Sequence, residues 1–133
     1  MSADFATANV ASEQRDSHST LALYRRLLAL RRSAPAISRG EFRLLPRQGD
    51  VVAYLRGDAG TGRYLVLVNI GTSAGAYAVT AADLAAAGVK GARGSGTVVA
   101  GSHDRVTGPG RARRIALARV ALEGNEAVVI RLR

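Results

Sequence analysis

The chain has 133 residues, 47% of them apolar, which is long enough and apolar enough for the core of one domain. It contains no cysteine, which excludes a disulfide framework and a thiolate metal site. The formal net charge of +9 would suit a nucleic-acid partner. However, Lys90 is the only lysine, and the arginines are scattered apart from the clusters Arg25-Arg26, Arg31-Arg32 and Arg111-Arg113-Arg114. The chain also has only six aromatic residues for stacking on bases, so we expect no nucleic-acid partner.

The first third of the chain predicts a single helix. Residues 1–15 show no clear periodicity and predict an extended leader. Leucines then recur at helical spacing over about residues 19–32, and the stretch "SAP" ends the pattern because the residue before a proline avoids the helical conformation. Asp16, Ser17 or Ser19 can supply the side-chain oxygen that caps the helix.

Beyond residue 40 the pattern changes to that of short strands. The turn clusters "RQGD" and "GDAGTG" separate the first three runs into hairpins, and "EGN" reads as a later hairpin turn. A short helical turn is predicted over residues 80–89, capped by Thr80 and ended at Gly88. The predicted strands cover residues 41–46, 51–56, 63–70, 74–80, 96–102, 114–122 and 126–132.

These elements define the expected fold class. The third run is apolar on both faces, with Tyr64, Val66, Val68 and Ile70 on one side and leucines on the other, which is typical of a central strand covered on each side. About seven short strands with frequent turns predict a mainly β protein, an antiparallel β-sandwich preceded by one amphipathic α-helix.

Candidate catalytic motifs are weak. Ser102-His103-Asp104 contains the residue types of a catalytic triad, but three adjacent residues cannot form a nucleophile–base–orienter relay, so a turn is expected. The two histidines have no acidic cluster beside them for a metal. The stretch "GVKGARGSG" lacks the order of known phosphate loops. The stretch "GPGRARR" could bind an anion, but a solvated loop of arginines is expected. We therefore predict no catalytic, metal-binding or cofactor-binding residue, and no cofactor.

We expect neither a targeting segment nor a membrane span in this sequence. No apolar run approaches the ~20 residues of a membrane span, and "MSADFATANV" lacks the layout of a signal peptide. We expect a cytoplasmic protein without a membrane partner.

The helix itself offers an unusually broad apolar surface. At about 100° per residue, its leucines and Tyr24 cover roughly half of the cylinder, whereas Arg25 and Arg32 lie on the other side. Arg31 projects near the middle of the apolar arc, so its charge should find a carboxylate or several carbonyls, or extend along the surface into water. Such a helix would suit a position between two bodies.

The chain from about residue 9 to its end resembles the end of the barrel and the C-terminal domain of α-glucosidases of the α-amylase superfamily, such as oligo-1,6-glucosidases. The family pattern is an "NV" loop, then "S-L-x-x-Y-R-x-L-I-x-L-R-R", an "x-P-A-L" exit and a "G-x-[FY]" strand, and "YLVLVNIGTS" and "LEGNEAVVIRL" resemble its later strands. The matching residues are Asn9, Val10, Ser19, Leu21, Tyr24, Arg25, Leu27, Leu30, Arg31, Arg32, Pro35, Ala36, Gly40 and Phe42.

This resemblance implies an eight-stranded antiparallel sandwich with Greek-key connections over residues 39–133. Residues 1–38 would be a leader plus the last helix of a catalytic barrel. The parent enzyme would be a retaining glycoside hydrolase of carbohydrate metabolism whose catalytic carboxylates lie on barrel strands, and none of those motifs occurs here. No activity is therefore expected from this chain alone.

Three functions follow as hypotheses. The favoured one is a non-catalytic, structural C-terminal domain that packs against a catalytic barrel in cis or in trans, through a helix surface formed by Leu21, Tyr24, Leu27, Leu28 and Arg31. The second is a stand-alone carbohydrate-binding sandwich, for which Tyr54, Tyr64 and Tyr77 are the strand tyrosines, although burial of Tyr64 would weaken it. The third is a partner-docking module that binds a separate barrel or a second copy of itself.

Overall fold

A computed structural model describes residues 10–58, 60–86, 88, 94–103 and 113–132. Three helical segments precede the strands, and a fourth lies between the fourth and fifth strands. The helices are α1 (Val10–Glu13), α2 (Thr20–Ser33), α3 (Pro35–Arg39) and α4 (Ala81–Ala86). The strands are β1 (Phe42–Leu44), β2 (Val51–Asp58), β3 (Gly62–Asn69), β4 (Gly75–Tyr77), β5 (Ser95–Gly101), β6 (Arg113–Ala116), β7 (Val120–Leu122) and β8 (Ala127–Leu132).

The strands form two antiparallel sheets, which confirms the predicted fold class. The larger sheet has the order β1-β2-β3-β8-β5-β6, and the smaller one pairs β4 with β7. The chain leaves the large sheet after β3 and again after β6, so that β8 returns between β3 and β5. The third predicted strand is therefore a central one, as its apolar pattern indicated.

Alternation along the strands builds the main core. Leu65 and Leu67 of β3 and Ile130 of β8 are fully buried on the face that looks toward the small sheet, and Tyr77 of β4 is buried there too. The Tyr77 hydroxyl donates a hydrogen bond to the carbonyl of Pro46 at 2.9 Å, which satisfies its polar end inside the core.

A second, smaller core lies between the helices and the opposite face of the large sheet. Its buried members are Ala34, Ala36 and Tyr64, and Leu30 of α2 packs against them. Gly40 permits this approach, because a Cβ at that position would come within 2.8 Å of the backbone nitrogen of Gly57. The helices thus cover only part of the outer sheet face, and the side chain of Ile70, at the end of β3, remains 57% exposed.

The N-terminal half of the chain departs from the sequence prediction in two places. The leader, predicted as extended, contains one helical turn at α1, and residues 1–9 lie outside the described part. The predicted helix is confirmed as α2, but a further short helix, α3, follows it directly. Pro35 ends α2 and also starts α3, since its fixed φ and missing N–H suit the first turn of a helix.

The C-terminal half departs in two further places. The single strand predicted over residues 114–122 is wrong, because the chain bends at Leu117 and its two halves, β6 and β7, belong to different sheets. The "EGN" stretch is not a hairpin turn, since β7 and β8 do not pair; it is a corner between the sheets, with Asn125 at φ 57°. The short helical turn is confirmed as α4, where the Thr80 hydroxyl accepts the N–H of Asp83 at 3.1 Å.

Candidate docking surface

Local hydrogen bonds fix the start of α2. Ser19 is its N-cap, and the side-chain oxygen accepts the backbone N–H of Ala22 at 3.2 Å. The same hydroxyl lies 2.7 Å from the carbonyl oxygen of Glu13 and 2.8 Å from that of Asp16. The Glu13 carboxylate also accepts the N–H of Leu21 at 3.1 Å. Two free amides of the first turn are thereby satisfied, and α1 is tied to α2.

The helix rests on the sandwich by one side only. Leu30 contacts the second core, and Arg26 turns back to donate from Nη1 to the carbonyl of Ser17 at 2.7 Å. No residue of α2 is fully buried. Packing against the sandwich therefore contributes little to the stability of this 14-residue helix.

The residues predicted to face a partner lie on the opposite, uncovered side. Tyr24 is 61% exposed, Leu27 and Leu28 are each 37% exposed, Arg31 is exposed and Leu21 is half-buried. These five residues are called the free face of α2 below. The structure brings them together on one surface, and what covers that surface stays a prediction.

Arg31 adopts one of the two arrangements expected of it. Among the described residues it has no hydrogen bond or ion pair, and its side chain is exposed to water. The Arg31 guanidinium is therefore not buried against a carboxylate or several carbonyls of the described residues. Water hydrates the guanidinium in this chain, and any body that covers the surface would have to receive that cation.

A second apolar patch lies on the outer face of the large sheet. Phe42 and Leu44 of β1 are 59% and 63% exposed, and Tyr54 of β2 is half-buried beside them. The rings of Phe42 and Tyr54 are 5.2 Å apart between centroids and tilted by 39°. Sequence reasoning singled out Tyr54 but not this use of Phe42, because the contact depends on the pairing of β1 with β2.

The residues of the triad-like motif do come close to one another. Ser102 Oγ lies 3.1 Å from His103 Nδ1, and His103 Nε2 lies 3.8 Å from a carboxylate oxygen of Glu123. However, Ser102 Oγ also accepts the backbone N–H of Ala127 at 2.9 Å, so it joins β5 to β8. The predicted turn describes this site well, and Asp104 lies outside the described residues.

Two buried polar side chains hold the corner between β7 and β8. Glu126 is fully buried, and its carboxylate accepts the N–H of Glu123 at 2.7 Å. Asn69 donates from Nδ2 to the carbonyls of Ser73 and Glu123, both at 2.8 Å. The partners of Asn69 and the Glu123 amide bound by Glu126 are backbone groups, which indicates a structural role. A sequence pattern marks neither residue as buried.

No other candidate site emerges from the described residues. They contain no group of three histidine, cysteine, aspartate or glutamate side chains placed to hold a metal ion. None of the helices in the described ranges is long and apolar enough to cross a membrane. The glycine-rich stretch at 88–96 and the arginine-rich stretch at 108–114 fall largely outside the described part.

Comparisons with solved structures identify the architecture. The isomaltulose synthase PalI from Klebsiella sp. LX3 matches 100% of this chain with a TM-score of 0.76 and 24% identity. The trehalulose synthase MutB from Pseudomonas mesoacidophila MX-45 matches 100% of it with a TM-score of 0.75 and 21% identity. This chain has the fold of a part of those enzymes.

The matched part is a minor one. This chain covers 21% of the length of either solved enzyme, about a fifth. A MutB variant crystallised with its substrate sucrose matches over a similar range: 98% of this chain and 21% of that chain are covered, at 22% identity. Neither a protein-family model nor a curated relative matches the sequence. At these identities the likeness establishes the fold.

Proposed function

We propose that this chain is the non-catalytic, C-terminal β-sandwich domain of an α-glucosidase-like glycoside hydrolase, and that the free face of α2 packs against the catalytic barrel. The observation that carries the proposal is the match of at least 98% of this chain to about a fifth of the solved enzymes. In the proposal, residues up to 38 belong to the barrel side and residues 39–133 form the sandwich. The barrel is supplied by the same polypeptide or by a separate one, and the enzyme is cytoplasmic.

The free face supports this role. Its exposed leucines and Tyr24 present apolar surface to water, which is costly unless another body covers it. Leu30 packs one end of α2 against the second core, and Ser19 ties the other end to α1, so both ends of that surface are held in place. The domain therefore offers a barrel a prepositioned helix.

A first experiment tests the non-catalytic role. The purified chain is incubated with a nitrophenyl α-glucoside and with sucrose, and release of product is followed. We expect no turnover above the rate without protein. Robust turnover that is retained through further purification would overturn the proposal.

A second experiment tests the docking role. The coding sequence immediately upstream is read for a barrel with catalytic carboxylates, and the two parts are produced together as they occur. We expect Leu28→Asp to lower the melting temperature and the activity of the assembly, because it places a charge in the interface. The matched control, Arg25→Ala, lies outside the free face and should change neither. Equal behaviour of the two variants would count against docking through this face.

The aromatic pair on the outer sheet face favours a second candidate, a carbohydrate-binding surface. Exposed rings stack on the apolar faces of sugars, and Phe42 with Tyr54 provides adjacent rings. Tyr64 and Tyr77 are buried and cannot contribute. Calorimetric titration with maltotriose should then give saturable heat that Phe42→Ala abolishes and Ile70→Ala leaves intact. A purely structural domain gives no saturable heat.

A further inference from the structure

A two-fold axis makes the free face of α2 complementary to the same face of a second copy. Tyr24 and Arg31 are seven residues apart, so they lie within about 20° of each other around the helix and about 10 Å apart along it. Leu27 and Leu28 sit midway between them, one on each flank. The face therefore carries an aromatic ring at one end, a cation at the other and a leucine pair at its centre.

We propose that, where no barrel covers it, the free face binds the free face of a second copy through an antiparallel pair of α2 helices. A two-fold axis perpendicular to α2, passing between Leu27 and Leu28, places each of these leucines against its own counterpart. The same axis places Arg31 of one copy over the ring of Tyr24 of the other. Such an isologous contact closes on itself as a dimer.

Charge decides the direction of pairing. A parallel pair would bring the exposed Arg31 of both copies together, which is repulsive. The antiparallel pair instead gives each guanidinium an aromatic face, an attraction that strengthens as the contact loses water. It also aligns the two helix dipoles in opposite directions. The second copy thus receives the Arg31 guanidinium on an aromatic ring, without any carboxylate.

The dimer is weak and reversible. A helix of 14 residues is about 21 Å long, and one face of that length buries less area than a standard stable interface. A barrel that packs along the whole face would displace the second copy. The inference does not depend on the proposed function: a strictly monomeric chain would leave barrel docking intact, and a dimer would form without a barrel.

Sedimentation velocity over a wide concentration series tests the association. We expect a concentration-dependent dimer whose dissociation constant rises on the order of tenfold in Tyr24→Ala and in Arg31→Ala. The double variant should lose little more than either single one, because both remove the same contact. Arg25→Ala, on the flank outside the free face, is the matched control and should dimerise normally. All three positions changed are exposed on one helix, and circular dichroism verifies that each variant folds.

Engineered disulfides test the direction of pairing, since the natural chain has no cysteine to interfere. Chains carrying Tyr24→Cys are mixed with chains carrying Arg31→Cys under mild oxidation. The antiparallel pair brings these two positions within bridging distance, whereas two copies of either one alone lie farther apart. The mixed disulfide should form faster than both homodisulfides.

Four results would overturn the inference. One is a monomer at every concentration, and another is a dimer that none of the free-face variants weakens. A third is tighter association of Arg31→Ala, which would mean that apolar area alone drives the contact. The fourth is a predominance of homodisulfides in the mixture, which would indicate parallel or irregular pairing.

Discussion

At the scale of single residues, the carboxylate of Asp58 organises the turn between β2 and β3. It accepts the backbone N–H groups of Gly60 and Thr61, each at 2.8 Å. These bonds, that of Thr61 foremost, lower the pKa of Asp58 below its ordinary value of 3.8. Because the folded pKa is the lower one, this contribution to stability is present above pH 3.8 and is lost as the pH falls through the folded value.

Replacing Asp58 by asparagine isolates that charge. Asp58→Asn keeps an oxygen that can accept the two amides but binds no proton, so its unfolding free energy should fall less steeply than that of the natural chain below pH 3.8. Denaturant unfolding measured across that pH range provides the comparison. Asp58→Ala, which loses the acceptor as well, should be less stable at every pH. Parallel pH curves for the natural chain and the asparagine variant would contradict this account.

Because the Glu126 carboxylate is buried, we expect its replacement to lower the unfolding free energy more than replacement of an exposed acid. Its side chain is fully buried and binds the amide of Glu123, so Glu126→Ala should cost about 3 kcal/mol of unfolding free energy by leaving a cavity and an unpaired N–H. Glu126→Gln keeps an acceptor oxygen and should cost about 1 kcal/mol. Glu41→Ala, at an exposed acid, is the control and should stay within about 0.5 kcal/mol of the natural chain. Equal losses for alanine at both sites would refute a structural role.

At the scale of elements, local signals were sufficient to predict α2, but not the short helices α1 and α3. Helix α2 was predicted from its leucine spacing and its cap because both lie within a few residues of the helix. The bend at Leu117 could not be predicted in this way. Residues 114–122 contain no glycine, proline, asparagine or aspartate that would mark a turn, although the apolar positions shift by one residue between Leu117 and Val120. The hydrogen bonds of Leu117 with Gly94 and Val79 show that the chain changes sheets there.

The candidate surfaces also differ in whether local sequence alone could predict them. The free face of α2 could be read from the sequence, because helical periodicity alone assigns Tyr24 and Arg31 to one side. The contact between Phe42 and Tyr54 required the register of β1 on β2, which the length and geometry of the intervening turn determine. Burial of Glu126 required knowledge of a corner that the sequence presented as a hairpin turn.

The cap of α2 gives a prediction at this scale. Ser19→Ala removes the oxygen that accepts the N–H of Ala22 and should cost about 1 kcal/mol of stability. Ser33→Ala is the matched control at the other end of the same helix. The Ser33 hydroxyl bonds back to the carbonyl of Leu30, a contact that adds little to a helix, so this variant should be close to neutral. Chemical denaturation of both variants measures the difference, and a larger loss at Ser33 would show that the cap is not what stabilises α2.

At the scale of the whole molecule, stability is distributed unevenly. Strands β3 and β8 are neighbours inside the large sheet, each paired on both sides, and their inner residues Leu65, Leu67 and Ile130 are completely buried. Helix α2 has no fully buried residue and is held by one side and two ends. It should therefore open at a lower free energy than the sheet, in a motion that leaves the sandwich folded.

Hydrogen exchange followed by mass spectrometry tests this gradient in dilute solution. Peptides from β3 and β8 should exchange slowest, by global unfolding, and the peptide covering α2 should exchange many times faster through local opening. A protein that binds the free face stabilises the folded form of α2 by its binding free energy. It should therefore slow hydrogen exchange in α2 while leaving the exchange rate of β3 unchanged. Exchange in α2 as slow as in β3, with nothing bound, would mean that the sandwich alone stabilises the helix. The free face would then be an ordinary exposed surface rather than one that needs a partner.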